Sequence, residues 1–300
     1  MRKSSGPQTH QQMLHAFYPG QTLGPIPHQA AKTVAAVGTF LHKTTTAVAF
    51  PPTRKHSSQL FCVLAMLEQS DVSNRLLALL SPSDFALLAR HFEPLDLYRD
   101  YVLAVPNTPI AHVFFIESGM VSVVAEKADG RSIEVGVYGR DGMGPSTVLL
   151  GSDQTPHHHY MQIGGTGLRM TTVDFLEVVE KSPTIRNLML RFIHVFMTQT
   201  AQSALVNGSS VVEERLARWV LMCRDRLEMD EFPITHDFLS MMLGVRRSSV
   251  TDAIHLLEGD SLIKATRGNI KILDRTRLER AAGASYGVPE SEFRRLIGPL

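Results

Sequence analysis

The chain has 300 residues, 44% of them apolar and 20% charged, with a formal net charge of +1. That length allows two modest domains plus tails, and the near-neutral balance means that any surface for a polyanion must come from local clustering of charge. Two cysteines, Cys62 and Cys223, are too few for a disulfide framework or for a zinc or iron–sulfur site built on thiolates.

Arg2 and Lys3 precede the polar run Ser4–His10, so no secretory h-region follows them. The most apolar early stretch, Leu60 to Leu67, is far too short to span a bilayer. A cytoplasmic protein without a membrane partner is expected. Residues 1–66 mix Gln, His, Thr, Ala and Pro without a sustained period, which predicts a poorly ordered extension. Met66, with a helical pattern behind it, is a candidate true start.

From Ser73 the pattern becomes regular. Asn74 to Leu80 reads as a short amphipathic helix, and Ser81-Pro82-Ser83-Asp84 opens another that presents Phe85, Leu87, Leu88 and Phe92. Between about Leu95 and Met170 the signal turns to strands. Val113–Ile116 ends at Glu117-Ser118-Gly119, and Val121, Val123 and Ala125 then alternate with their neighbours. Asp129-Gly130 makes a hairpin turn, after which Ile133, Val135 and Val137 resume the period of two. Short strands with Gly-rich turns predict a β-sandwich or roll, assigned to residues 67–181.

Pro183 opens a long helix, assigned to residues 182–208 and apolar nearly all round in its first half, so that it must bury more than one side. One side covers the roll. The other needs a partner, for which a symmetric copy is the simplest choice, burial wholly within a monomer being the alternative. The dimer contact is assigned to Ile185, Met189, Phe192, Phe196, Gln199 and Ser203. Asn207-Gly208-Ser209-Ser210 reads as a break. A further amphipathic helix follows, setting Val212, Leu216, Trp219, Val220 and Leu227 against Glu213, Glu214, Arg215, Arg218 and Arg224. It begins a domain over residues 209–280, with a C-terminal tail at 281–300.

Within that domain Thr235 precedes the helical run His236–Leu243 and can cap it. Gly244 stands where a tight turn between two helices needs positive φ. A second helix follows to Glu258, with Val250, Ile254 and Leu257 packing inward against Leu239 and Leu243. Its opposite face begins with Arg246, Arg247, Ser248, Ser249 and Thr251, at the end of the second helix that enters the major groove in helix-turn-helix proteins. An arginine bidentate to guanine contributes roughly 1–3 kcal/mol of discrimination, and hydroxyls can reach phosphate or base edges. Leu262–Thr266 and Ile270–Leu273 then form a hairpin wing around Arg267-Gly268-Asn269, with Lys264, Arg267 and Lys271 available to phosphate or the minor groove.

These stretches, with Phe115-Ile116-Glu117-Ser118-Gly119-Met120-Val121 in the roll, make the chain resemble the Crp/Fnr regulators over about Leu76 to Leu278. The resemblance implies an α+β fold: an N-terminal jelly-roll-like β-roll, a long dimerisation helix and a C-terminal winged helix-turn-helix. It implies that Thr235 and His236 touch phosphate and that Arg247 reads a base. Ser248 and Asp252 depart from the acidic and basic residues common in the family, so the half-site sequence does not carry over.

Members that bind cyclic nucleotide usually show a Gly-Glu-aliphatic stretch and a later Arg-Ser or Arg-Thr, the Arg pairing with the cyclic phosphate. Here those regions read Gly142–Leu150 and His157-His158-His159-Tyr160, without either charged contact. No response to cyclic AMP is expected, and the ligand residues stay unknown. His157 and His159 alone make an incomplete metal site, so no metal and no cofactor are expected. The chain shows no Gly-rich phosphate loop or nucleophile elbow, which excludes the common enzyme motifs. The implied partners are double-stranded DNA, a second copy of the chain and RNA polymerase, with room for a small-molecule effector. A rival reading, a sensor module that signals through a protein partner, has Arg246, Arg247 and the basic wing against it.

Overall fold

The computed structural model describes residues 67–128 and 130–300. The extension expected over 1–66, and Asp129 of the hairpin turn, lie outside the described residues. Asn74 starts the ordered structure. Wholly buried, it caps α1 (Arg75–Ala78) by accepting the N–H groups of Leu76 and Leu77, and its amide donates to the carbonyls of Ile116 and Gly142 at 3.0 and 2.8 Å. Ser81 caps α2 (Pro82–Ala89), with proline at the first turn as the sequence predicts.

Eight strands follow: β1 (Glu93–Leu97), β2 (Val102–Ala104), β3 (His112–Ile116), β4 (Met120–Glu126), β5 (Ser132–Tyr138), β6 (Met143–Gly144), β7 (His158–Ile163) and β8 (Gly165–Thr171). They form two antiparallel four-stranded sheets, ordered β1-β8-β3-β6 and β2-β7-β4-β5. Val113, Phe115, Val121, Met161, Leu168 and Met170 belong to the roll's core, together with Leu76, Leu77, Phe85 and Leu88 from the first helices. The alternation at Ile133, Val135 and Val137 is less clean than predicted. The ladder bulges between Val123 and Val124, and Glu134, Gly136 and Tyr138 are buried while Ile133 and Val135 are only half-buried.

After α3 (Thr172–Lys181), Ser182 caps the 27-residue α4 (Pro183–Ser209). The predicted break at Asn207–Ser210 comes later: the helix runs through Ser209 and the chain turns extended at Ser210. The expected dimer face also needs correction. Ile185, Met189 and Phe192 are buried in the roll's own core, and Gln199 is tied to the backbone of Val137 through bonds of 2.7 and 3.0 Å. Phe196 packs edge-on to Tyr138, and Ser203 accepts from Arg218. These six positions face the same chain. The exposed residues include Leu190, His194, Met197, Ala201, Ala204 and Gly208, spaced four and three apart in turn, with Leu205 beside them. Met197 and Leu205 are each 60% exposed.

α5 (Val212–Leu227) leads into a second core, built with Phe232, Ile234, Leu239, Val250, Ile254 and Leu257, that also takes in Met120, Val124, Val137 and Ile163 of the roll. The polar face expected on α5 is only partly exposed, since Arg215 and Arg218 are buried. Arg226 forms a buried ion pair with Asp141 at 3.1 Å, and Glu228 bridges Arg75 and Arg140. Residues 281–300, read as a tail, contain a helix of their own. α8 (Arg275–Ala282) packs on α5, and α9 (Val288–Leu296) packs on α4, where Glu292 meets His194 at 3.3 Å.

Asn74→Ala removes a helix cap and leaves two buried carbonyls without their donor. It should cost about 2–4 kcal/mol in the urea unfolding of the full chain.

Candidate nucleic-acid interface

Thr235 caps α6 (His236–Leu243), its hydroxyl accepting the N–H of Phe238 at 3.2 Å. Gly244 ends that helix at φ +60°, the conformation the glycine turn requires. A Cβ there would stand 3.0 Å from Ile133 Cδ1, so the turn rests directly on β5. α7 (Arg247–Gly259) buries Val250, Ala253, Ile254 and Leu257. With that stripe fixed inward, Arg246, Arg247 and Ser248 are exposed at the first turn, and Asp252 and His255 are exposed further along. Ser249 and Thr251 are half-buried.

Arg247 Nη1 lies 3.3 Å from Asp237 Oδ1, a contact between the first turns of α6 and α7 that sequence spacing did not signal. Both side chains are largely exposed, and such a pair is worth little, so it parks the guanidinium without committing it. Thr251 Oγ1 donates to the carbonyl of Arg247 at 3.2 Å and therefore accepts from His236 Nδ1, also at 3.2 Å. That places an imidazole proton on Nδ1 and leaves Nε2 for contacts outside the domain.

The wing is present. β10 (Ile263–Thr266) and β11 (Asn269–Ile272) pair antiparallel, with Gly268 at φ +82° in the turn. β9 (Glu231–Pro233) adds a third strand beside β11. Ile263, Ile270 and Ile272 point into the core, leaving Lys264, Arg267 and Lys271 exposed. Lys264 and Lys271 stand directly opposite each other in the ladder. Glu258, near the end of α7, accepts from the N–H of Ala265 at 2.8 Å and so ties the second helix to the wing.

Residues 214–281 match the family model described as the Crp-like helix-turn-helix domain. Solved structures of the same architecture extend the likeness to the roll and the long helix. The chain has the fold of the Crp/Fnr-type regulators. A transcriptional regulator of the Crp/Fnr family from Eubacterium rectale is 18% identical, with 70% of this chain and 98% of that one covered and a TM-score of 0.55. FixK2 from Bradyrhizobium japonicum is 14% identical, covering 64% of this chain and 98% of its own, with a TM-score of 0.56. CLP, the c-di-GMP responsive global regulator of Xanthomonas campestris, is 16% identical, covering 65% and 100%, with a TM-score of 0.55. No curated protein sequence matches the chain.

The two stretches compared with the nucleotide-binding motif, Gly142–Leu150 and His157–Tyr160, lie partly against aromatic rings. A Cβ on Gly142 would stand 2.5 Å from Phe192, and on neighbouring β5, outside those stretches, one on Gly136 would stand 2.7 Å from Phe196. Gly144 packs on the phenol of Tyr138 in the same way. Tyr138 reaches His159 Nδ1 at 3.2 Å, and burial lowers that imidazole to about 3, which keeps it neutral. Rings and neutral polar groups thus fill the contact between the roll and α4. His158 pairs instead with Glu126, at 3.4 Å. Among the described residues no three His, Cys, Asp or Glu side chains converge as a metal site would need, and no helix is long and apolar enough to cross a membrane.

Proposed function

We propose that the chain is a sequence-specific, DNA-binding transcription regulator that acts in the cytoplasm as a homodimer on a roughly palindromic promoter site. The observation that carries this reading is the tip of α7. Arg246, Arg247 and Ser248 are exposed there because Val250, Ile254 and Leu257 hold the opposite face in the core. The wing supports it. Like charges directly opposite in a ladder work against folding, so Lys264 across from Lys271 makes sense as a grip on phosphate. Arg247 and Arg246 read bases, with Ser248, Ser249 and Thr251 beside them; Thr235, His236, Lys264 and Arg267 hold the backbone. RNA polymerase is the downstream partner, and the chain performs no catalysis.

The homodimer follows from the exposed edge of α4. Leu190, His194, Met197, Ala201, Ala204 and Gly208 recur with the heptad spacing of a coiled-coil seam, and the small residues of the second half permit close approach. Pairing along this edge would place two reading helices about one turn of duplex apart. An effector, if one acts on the roll, is not cyclic AMP, since neither Gly142–Leu150 nor His157–Tyr160 offers an arginine for its phosphate.

Three measurements check this reading. In a gel shift against the chain's own upstream region, Arg247→Ala should abolish the specific band, a loss of about 1–3 kcal/mol, whereas Lys264→Ala should weaken all sequences alike and reduce the salt slope by about one. An unchanged band with Arg247→Ala refutes DNA reading by this helix. Met197→Glu should convert a dimer to a monomer in light scattering. Isothermal titration with cyclic AMP should show no micromolar binding.

A further inference from the structure

Buried polar groups outside the reading surface converge where β5 of the roll meets α5. Glu134 is buried there, its Oε1 accepting from Trp219 Nε1 at 2.8 Å and its Oε2 lying 2.6 Å from Ser122 Oγ on β4. Ser122 Oγ is also 2.7 Å from Gln162 Oε1 on β7. Ser122 is wholly buried and has a single hydroxyl hydrogen, yet it sits between two acceptor oxygens. A neutral Glu134 resolves the conflict, because the carboxyl then donates to Ser122 and Ser122 donates to Gln162. Burial favours the same form and pushes Glu134 up to about 7.

Other groups around the carboxyl act on that balance. Arg218 and Arg226 of α5 oppose the rise, and Arg215 lines the same cavity of about 20 Å³ beside Glu134. Burial, with a smaller contribution from the charge of Glu134, raises Tyr160 of β7 and Cys223 of α5. Glu290 of α9 draws on Arg218 and Arg226. The residues that α4 and α7's neighbour α6 bring to the cavity, Ser203 with Val206 and Met242 with Leu243, carry no charge.

Trp219 carries the contact onward. Its ring lies 6.5 Å from Phe232 on β9 and 6.2 Å from Phe238 on α6, and Ile133, next to Glu134, supports the Gly244 turn. We propose that Glu134 is a positioning residue for DNA reading: a proton held along Glu134, Ser122 and Gln162 latches the helix-turn-helix unit to the roll through Trp219, and loss of that proton loosens it. Only the output of this latch rests on the DNA-reading assignment. Because the buried carboxyl holds its proton more tightly than a solvated one, docking is favoured by acid. The contribution is complete below about pH 4.5 and is lost as pH rises through about 7. Between pH 6 and 8.5 the docking equilibrium should fall about tenfold.

Trp219 is the only tryptophan of the chain, so its fluorescence reports on the latch directly. In the full-length protein the emission should titrate with a midpoint near neutrality, and Glu134→Gln, whose amide donates to Ser122 while its oxygen accepts from Trp219, should abolish that titration. In a DNA-binding assay the wild type should lose affinity relative to Glu134→Gln as pH rises, and Glu134→Ala should bind more weakly than Glu134→Gln at every pH. Ser122→Ala gives a second test if the Glu134→Ala chain fails to fold: the buried carboxyl still titrates, but the midpoint of the emission change should move away from the wild-type value, and an unmoved midpoint counts against the latch. An inverted Gln162 amide would let Ser122 donate to a permanently charged Glu134; in that case the emission does not titrate, and the proposal fails. It fails equally if wild type and Glu134→Gln titrate alike, or if Glu134→Ala binds DNA as Glu134→Gln does. A chain whose emission titrates as expected but that never binds DNA specifically overturns the assignment of function and leaves the latch standing.

Discussion

From Arg215 to Cys223 α5 is buried on every side, and it carries charge. Arg215, Arg218, Asp225 and Arg226 are all shielded from solvent, and a buried charge is costly unless a partner meets it. Each therefore dictates a neighbour. Arg226 takes Asp141 of the roll, Arg218 takes Ser203 of α4, and Arg215 takes the carbonyl of Leu243 at the end of α6. Asp225 takes Arg275 at 2.7 Å and the hydroxyl of Tyr286 at 2.5 Å, which fixes α8 and the segment after it. Such pairs add little net stability, but few alternative arrangements satisfy all of them at once. The orientation of the helix-turn-helix unit against the roll follows from that requirement.

The long helix faces a related constraint of geometry. A helix has one circumference, and α4 gives one side of it to the roll, where Ile185, Met189 and Phe192 are buried. What remains outward is the edge through Leu190 and Met197, flanked by α9. A symmetric pairing along α4 would use that edge. The same division closes the contact between roll and helix, since Phe192 and Phe196 sit against glycines of β5 and the β6 region that leave just enough room for their rings.

Two separate regions thus share one mechanical path. The cationic tip of α7 meets the outside, and its helix rests on Gly244, Ile133 and β5. Glu134 lies one residue further along the same strand, bonded to the tryptophan whose ring touches both Phe232 and Phe238. Glu134 is therefore linked to the helix-turn-helix through two packed contacts, neither of which passes through the wing tip.

Local signals in the sequence determined much of this protein. The Thr235 cap, the Gly244 turn, the inward stripe of Val250, Ile254 and Leu257, the wing turn at Gly268 and the start of α4 at Pro183 are all set by interactions within a few residues, and each lies where the pattern put it. The roll was legible for the same reason, from strand period and turn residues. What periodicity could not assign was which of two apolar sides of α4 faces inward, because both sides read alike and only the shape of the roll chooses between them. It also could not see that Arg215 and Arg218 would be buried or that Glu134 would meet Trp219 across 85 residues. Those contacts join segments far apart in the chain, and only the packing of two cores against each other decides them.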